Sequence, residues 1–167
     1  MTRYILKNFN FFAEAESFIG VALELTPPKI VVASEEFRAA GMDAPITIDM
    51  GLEHMTAEVK FGSYVKQMEA MVGSLTPFQF TARGAFQADD GTVKAVVIKM
   101  TAKVHEGDQG TWKAGEKSEN AFTLHLQYYQ HSVDKEVLHE FDILNGKRVV
   151  NGVDQTEAIR RALGVSA

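Results

Sequence analysis

The chain contains no cysteine. Disulfides and thiolate metal sites are therefore excluded, and packing alone must hold the fold. Proline is sparse, with four residues, and two of them are the adjacent Pro27 and Pro28. Tryptophan occurs once, at Trp112. No apolar run approaches the roughly 20 residues of a membrane-spanning helix. The opening Met1-Thr-Arg-Tyr-Ile-Leu-Lys-Asn has neither an uninterrupted apolar core nor a small-residue cleavage site, so no signal peptide is expected. A surplus of positive charge is missing too. The formal net charge of -5 argues against a dedicated nucleic-acid binder, whose affinity would rest on neutralised phosphates.

What is present is ordinary for a globular protein: 46% hydrophobic and 23% charged residues. At this length the chain reads as one domain, 1–167, able to bury roughly 70% of its unfolded surface. Its frame is the stretch from Phe78 to Gln130. Phe78, Phe80, Ala82 and Phe86 alternate with Gln79, Thr81 and Arg83, the period of a half-buried strand. Asp89-Asp90-Gly91 then signals a hairpin. A long run from Thr92 to Val104 follows, with Lys99, Thr101 and Lys103 against Met100, Ala102 and Val104. Beyond a polar segment, Phe122, Leu124, Leu126 and Tyr128 alternate with Thr123, His125 and Gln127. The fold class is therefore mainly β, with strands too long for a minimal domain.

The remaining segments fit that frame. Tyr4–Phe12 reads as a strand, Glu14 and Glu16 as a turn, and Phe18–Leu25 as a second strand or irregular apolar segment. Pro27-Pro28 interrupts regular structure. Ile30–Val32 resumes it, and Ser34–Pro45, which has no period and carries Gly41 and Pro45, reads as a long loop. Ile46–Leu52 and Met55–Phe61 alternate as two more half-buried strands. Ser63 is placed to cap a helix through Gly73, with Tyr64, Val65, Met68, Met71, Val72 and Leu75 as its apolar face. His105–Asn120 reads as a polar loop and Asp134-Lys135 as a turn. Val137–Ile143 reads as a bulged strand, with turns at Asn145-Gly146 and Asn151-Gly152. Asp154, with Glu157 in the capping-box position, predicts a short C-terminal helix whose apolar side is Ile159, Ala162 and Leu163.

Chemical motifs are absent. The five histidines, His54, His105, His125, His131 and His139, form no HxH or HExxH pair. Glu35-Glu36 and Asp89-Asp90 are neighbours in sequence and do not converge across a cleft as acid–base pairs must. Gly107–Lys117 has the glycines of a phosphate loop but lacks GxxxxGK[ST] and leads into no helix. No enzyme activity, cofactor or metal is expected. The two irregular loops, 34–45 and 105–120, carry Phe37, Arg38, Gly41, Met42, Trp112 and Lys113. These read either as ordinary surface loops with an anchor or as subunit contacts, in which aromatics and Arg dominate binding.

Four stretches carry a resemblance: Phe37-Arg-Ala-Ala-Gly-Met-Asp-Ala-Pro45, Ile48-Asp-Met-Gly-Leu-Glu53, Thr111-Trp-Lys-Ala-Gly-Glu-Lys117 and Val150-Asn-Gly-Val-Asp-Gln155. In this order, over a span from about Phe9 to Val165, the chain resembles the major tail tube protein of contractile-tailed bacteriophages. The tube subunits of R-type pyocins are equally similar. The segment around Phe11–Ile19 departs from the pattern. The resemblance implies a β-sandwich or barrel-like domain with an internal helix, assembled as hexameric rings stacked into a hollow tube in the virion tail. It implies as partners further copies of the chain, a sheath protein, and baseplate and tail terminator proteins. DNA would be a transient lumen cargo, and the tube would transiently pierce a membrane. Two other readings stay open: a type VI secretion-like tube protein, and a monomeric β-barrel holding a small apolar ligand.

Taken with the helix placed between two strand pairs, the resemblance predicts which side chains line the lumen. These are Thr47, Asp49 and Glu53; Thr56, Glu58 and Lys60; Gln79, Thr81 and Arg83; and Lys99, Thr101 and Lys103. The set mixes both signs of charge.

Overall fold

The computed structural model describes residues 1–165. In chain order these form β1 (Tyr4–Ala13), β2 (Glu16–Ser17), β3 (Ala22–Thr26), β4 (Val32–Phe37), β5 (Ile46–Leu52), β6 (Thr56–Phe61) and α1 (Lys66–Met71). There follow β7 (Phe78–Ala88), β8 (Val93–Asp108), β9 (Asn120–Val133), β10 (Glu136–Asp142), β11 (Lys147–Val150), β12 (Val153–Asp154) and α2 (Glu157–Ala162).

The main sheet runs β12-β11-β10-β9-β8-β7-β1-β2, and β9 is its hub. Along one edge β9 pairs with β8, from Val96↔Val133 to Asp108↔Ala121. Its other edge is shared: β6 takes the first half (Thr56↔His125 to Phe61↔Asn120) and β10 the second (Asp142↔Tyr128 to Glu136↔Val133). With β3 carried on β6, the sheet divides and turns back on itself. The alternation of the sequence explains which side turns inward. Ala57, Val59 and Phe61 of β6 and Phe122, Leu124 and Leu126 of β9 are buried, whereas Thr56 and Glu58 are exposed. Phe11 of β1, Phe80 of β7, Phe61 of β6 and the turn residue Phe18 meet between the two limbs. Phe11 lies 5.8 Å from Phe80, 6.0 Å from Phe61 and 6.4 Å from Phe18, ring centre to ring centre. Helix α1 closes one mouth with Val65, Met68 and Met71, and Val72 bridges to Val104 of β8. The result is the expected barrel-like sandwich, with one internal and one C-terminal helix, open along its outer strands.

The predicted turns at Asp89-Asp90-Gly91, Asp134-Lys135 and Asn151-Gly152 are present. The last has positive φ at both central residues, 51° and 80°. The bulge read at Val137 falls between Val137 and His139.

Several sequence readings need correction. Ser34–Phe37 is not loop; it belongs to β4, which pairs with β5 (Glu35↔Ile48, Phe37↔Ile46), leaving 38–45 as the turn. Its lack of period has a physical reason. Among the described residues β4 and β5 form a two-stranded arm paired to no other strand, so the core of this chain imposes no alternation on β4. For the same reason β5 is a strand but not half-buried. The polar loop is shorter than 105–120, because β8 runs on to Asp108 and β9 starts at Asn120. Asn120 is buried and donates to the Ser63 carbonyl at 3.0 Å. Ser63 does not cap α1, because the helix starts two residues further on, after Val65, without a side-chain cap. Tyr64 and Leu75, assigned to the buried helix face, are exposed. Asp154 does not cap α2 either. It lies in β12 and pairs with Arg160, while Glu157 pairs with Arg161 at 2.8 Å. The buried residue of α2 is Arg160, and Ile159 and Leu163 face solvent.

Candidate functional site

Two surfaces and one loop carry the residues singled out in the sequence: the outer face of the sheet, the arm and the 109–119 loop. On the sheet, residues that face away from the core on β6, β9, β8 and β7 line up across the strands. Thr56 sits opposite His125, and His125 opposite Lys103. Tyr128, Thr101 and Gln79 form a second row, and Glu140, Gln130, Lys99 and Thr81 a third. Arg83 lies opposite Val97 one row further. The structure thus brings Thr56, Glu58, Lys60, Gln79, Thr81, Arg83, Lys99, Thr101 and Lys103 onto one outward, mainly polar face.

It does not bring Thr47, Asp49 and Glu53 there. Thr47 and Asp49 lie on the arm. Glu53 lies at the arm's root, where its N–H donates to the Val31 carbonyl at 2.8 Å.

The face also holds residues that sequence reasoning did not assign to it. Glu106 lies opposite Thr123, and Gln130 donates to Glu140 at 3.2 Å. Lys147 pairs with the other Glu140 oxygen at 2.9 Å. The alternation of Thr123 and His125 was the available signal, but it breaks at Gln127: a register shift between Thr101 and Ala102 turns Tyr128, expected on the inner side, and Gln130 onto this face, with Tyr129 buried instead. The order of strands, which places β9 between β6 and β8, is not written in a single sequence.

Three histidines meet at one end of this face. His54 Nε2 lies 2.8 Å from His125 Nδ1, and the His105 ring stacks on His125 at 4.3 Å. Partial burial first, then the neighbouring His105 and His54, hold the His125 imidazole below its ordinary pKa. Among the described residues no group of three or more His, Cys, Asp or Glu is arranged to hold a metal ion.

The arm projects from the sheet with two unlike faces. Side chains of paired residues share a face, so Phe37, Ile46, Ile48 and Met50, with Glu35 opposite Ile48, form one side and Ser34, Glu36, Thr47 and Asp49 the other. The apolar side is uncovered: Phe37 is 49%, Ile46 55%, Ile48 42% and Met50 56% exposed. Its turn is held from within. Arg38 Nε donates to the Met42 carbonyl at 3.3 Å, Met42 N–H donates to the Ala39 carbonyl at 3.2 Å, and Gly41 has φ +85°. In the 109–119 loop Trp112 is exposed and Lys113 pairs with Glu116 at 3.1 Å. Among the described residues this loop shares no hydrogen bond with the arm.

Together these make an open amphipathic sheet with a projecting two-stranded arm. The fold is shared with a chain of the PVC sheath–tube complex of an extracellular contractile injection system in its extended state. That match has a TM-score of 0.60 at 10% identity, over 78% of this chain and 91% of that one. The chain belongs to the phage tail tube protein FII family, whose model matches residues 3–164. It is 33% identical to the tail tube protein of Escherichia phage P2 over 96% of both chains. It is 25% identical to the major tail tube protein of Serratia phage KSP20, over 84% of this chain and 83% of that one. Membership makes it a tail tube structural subunit and a component of the virion tail.

Proposed function

We propose that copies of this chain join edge to edge into six-membered rings, and that the rings stack into a hollow tube inside a contractile sheath. Baseplate and tail terminator proteins would bound the tube, and DNA would pass along its lumen. The observation that carries this reading is the open sheet. One face is closed over an aromatic core and the other is mainly polar, giving way to Val97, Ala95 and Val93 toward one end of β8, while the outer strands keep free backbone groups. Pairing between copies satisfies those edges and removes an aggregation hazard. The polar face of β6, β9, β8 and β7 then lines the channel. The arm, with Phe37, Arg38, Gly41 and Met42, and the loop carrying Trp112 and Lys113, contact neighbouring copies.

Mixed charge suits such a conduit, because every phosphate gripped by a fixed cation adds affinity through counterion release. Glu58, Glu106 and Glu140 are interspersed with Lys99, Lys103 and Arg83 on the proposed wall.

Sedimentation and negative-stain imaging of purified protein test the assembly. Six-fold rings and tubes are the expected result, and a stable 18.4 kDa particle at every concentration and salt would overturn it. Glu58→Lys tubes should retain added DNA that wild-type tubes release. A tube map with these side chains on the outer surface would refute the lumen assignment alone.

A further inference from the structure

The arm meets its own domain in an unusual way. Among the described residues, β4 and β5 hydrogen-bond to no other strand. A lone two-stranded ribbon has little rigidity of its own in water. The arm also carries a bulge next to its root. Between the pairs Val32↔Leu52 and Ser34↔Asp49, β4 advances two residues while β5 advances three. Gly51 sits in the extra position at φ +97°, a conformation that side-chain-bearing residues rarely adopt. A bulge bends a ribbon, so the direction of the arm must be set by something else.

We propose that the ion pair between Asp49 and Arg148 is the pin that sets the arm's angle, and that it positions the apolar side of the arm for contact with a second copy of this chain. The Asp49 carboxylate does two things at once. Its Oδ1 accepts from the Gly51 N–H at 2.8 Å, which closes the bulge, and from Arg148 Nη1 at 3.2 Å. Its Oδ2 accepts from Arg148 Nη2 at 2.6 Å. The pairing is a two-point fork, which fixes orientation as well as distance. Among the described residues, these are the only side-chain hydrogen bonds that join 32–52 to the rest of the chain.

The far end of the pin is rigid. The Arg148 side chain is 18% exposed, and its strand is tied to the last helix. Arg148 N–H donates to Thr156 Oγ1 at 3.1 Å, and the same hydroxyl donates to the Gly146 carbonyl at 2.7 Å. Arg160, buried and paired with Asp154, donates to that hydroxyl at 2.9 Å. The pin pulls the polar side of the arm, with Asp49, Thr47 and Ser34, toward β11. Phe37, Ile46, Ile48 and Met50 are thereby turned outward. The occupant follows from the proposed tube, on which this inference rests: the chain must meet copies of itself, and this apolar side is unpartnered in the single subunit.

The absence of cysteine makes the test direct. Spin labels at Asp43→Cys, in the arm's turn, and Glu136→Cys, on the body, report the arm's angle by pulsed EPR below the concentration of assembly. Asp49→Asn keeps an acceptor for Gly51 and loses the charge, and Arg148→Gln removes the fork. Unlabelled versions of the same variants are assayed for assembly. A narrow distance distribution is expected for the wild type, broadened by either variant and no further by the double variant. If the freed arm holds the competent angle about a tenth of the time, the concentration needed for assembly rises about tenfold. An unchanged distribution overturns the proposal. So does a broadened one with normal assembly, and so do single effects that simply add in the double variant. Failure of the wild type to assemble would sink the tube reading, while the distance measurement would still decide the pin.

Discussion

Phe11→Ala tests whether the two limbs of the sheet are held together at the aromatic core. Phe11 is fully buried on β1, and its ring contacts one partner from β7, one from β6 and one from the turn before β3. Truncation removes the transfer energy of the ring and leaves a cavity between limbs that neighbouring strands hold apart. Buried Phe→Ala changes cost about 3–5 kcal/mol, and the lost ring pairs place this site at the upper end. Against a total stability of about 5–15 kcal/mol, that is a large fraction. For a chain of this length the midpoint should fall by roughly 10 °C or more. Phe11→Leu keeps most of the volume and should cost under about 1.5 kcal/mol. Ile5→Ala, on the same strand but half exposed, should cost under about 0.5 kcal/mol. Urea titrations must be run on dispersed protein, because assembly stabilises by mass action, and unchanged m-values would show that the transition itself is the same. If Phe11→Ala and Phe11→Leu cost the same small amount, the limbs are not closed through this residue.

Three further outcomes are expected. The His125 pKa is lowered on folding, so the unfolded chain takes up the proton first; stability is full above the unfolded pKa near 6.5 and falls as pH drops through the lower folded value. Urea midpoints from pH 8 to 5 should decline less for His125→Gln than for wild type, and equal slopes would disprove the link. Arg160 holds the Asp154 carboxyl down to about 2 from its ordinary 3.8, so this contribution is present above about pH 4 and lost as pH falls toward 2. Asp154→Asn should remove that part of the acid transition, read by far-UV circular dichroism. Gly107→Ala places a Cβ 2.8 Å from Val72 Cγ2, and overpacking against a stiff β-branched side chain should cost about 1–3 kcal/mol. Val72→Ala in the same chain should recover part of that loss in urea titrations, and no recovery would place the strain elsewhere.

Where burial inside the chain governs the pattern, the sequence was legible. The alternation of Phe78–Phe86 and Phe122–Leu126 located β7 and β9 and their inward sides, because a half-buried strand must alternate. Turns were legible where backbone sterics dictate them, as at Asn151-Gly152. The order of strands was not, since pairing β9 with both β6 and β10 depends on contacts remote in sequence. Helix starts were misplaced for a different reason. Ser63 and Asp154 have the chemistry of caps, but α1 begins two residues beyond Ser63, after Val65, and the buried Arg160 takes the Asp154 carboxylate. The four resemblance stretches located the family, yet they could not tell that Asp49 serves a bulge and an arginine rather than the sheet face.

The other misreadings share a cause. Ile46, Ile48 and Met50 alternate with Thr47 and Asp49 as a half-buried strand should, and Ile159 and Leu163 share a helix side as a docked helix should. Yet in the single subunit all of them face solvent. Their patterns specify burial that the chain itself does not supply. A strand pattern of this kind, carried by β5 of an arm that among the described residues pairs with no other strand, is what a surface completed by another copy would need, because the partner must meet one regular side. Irregular apolar exposure would carry no such register. The apolar rows of β5 and α2 therefore support the proposed assembly through the same physics that located the core. The difference lies only in where the covering atoms come from: for Phe61 and Phe122 they come from this chain, and for Ile48 and Met50 they would come from its neighbour in the proposed tube.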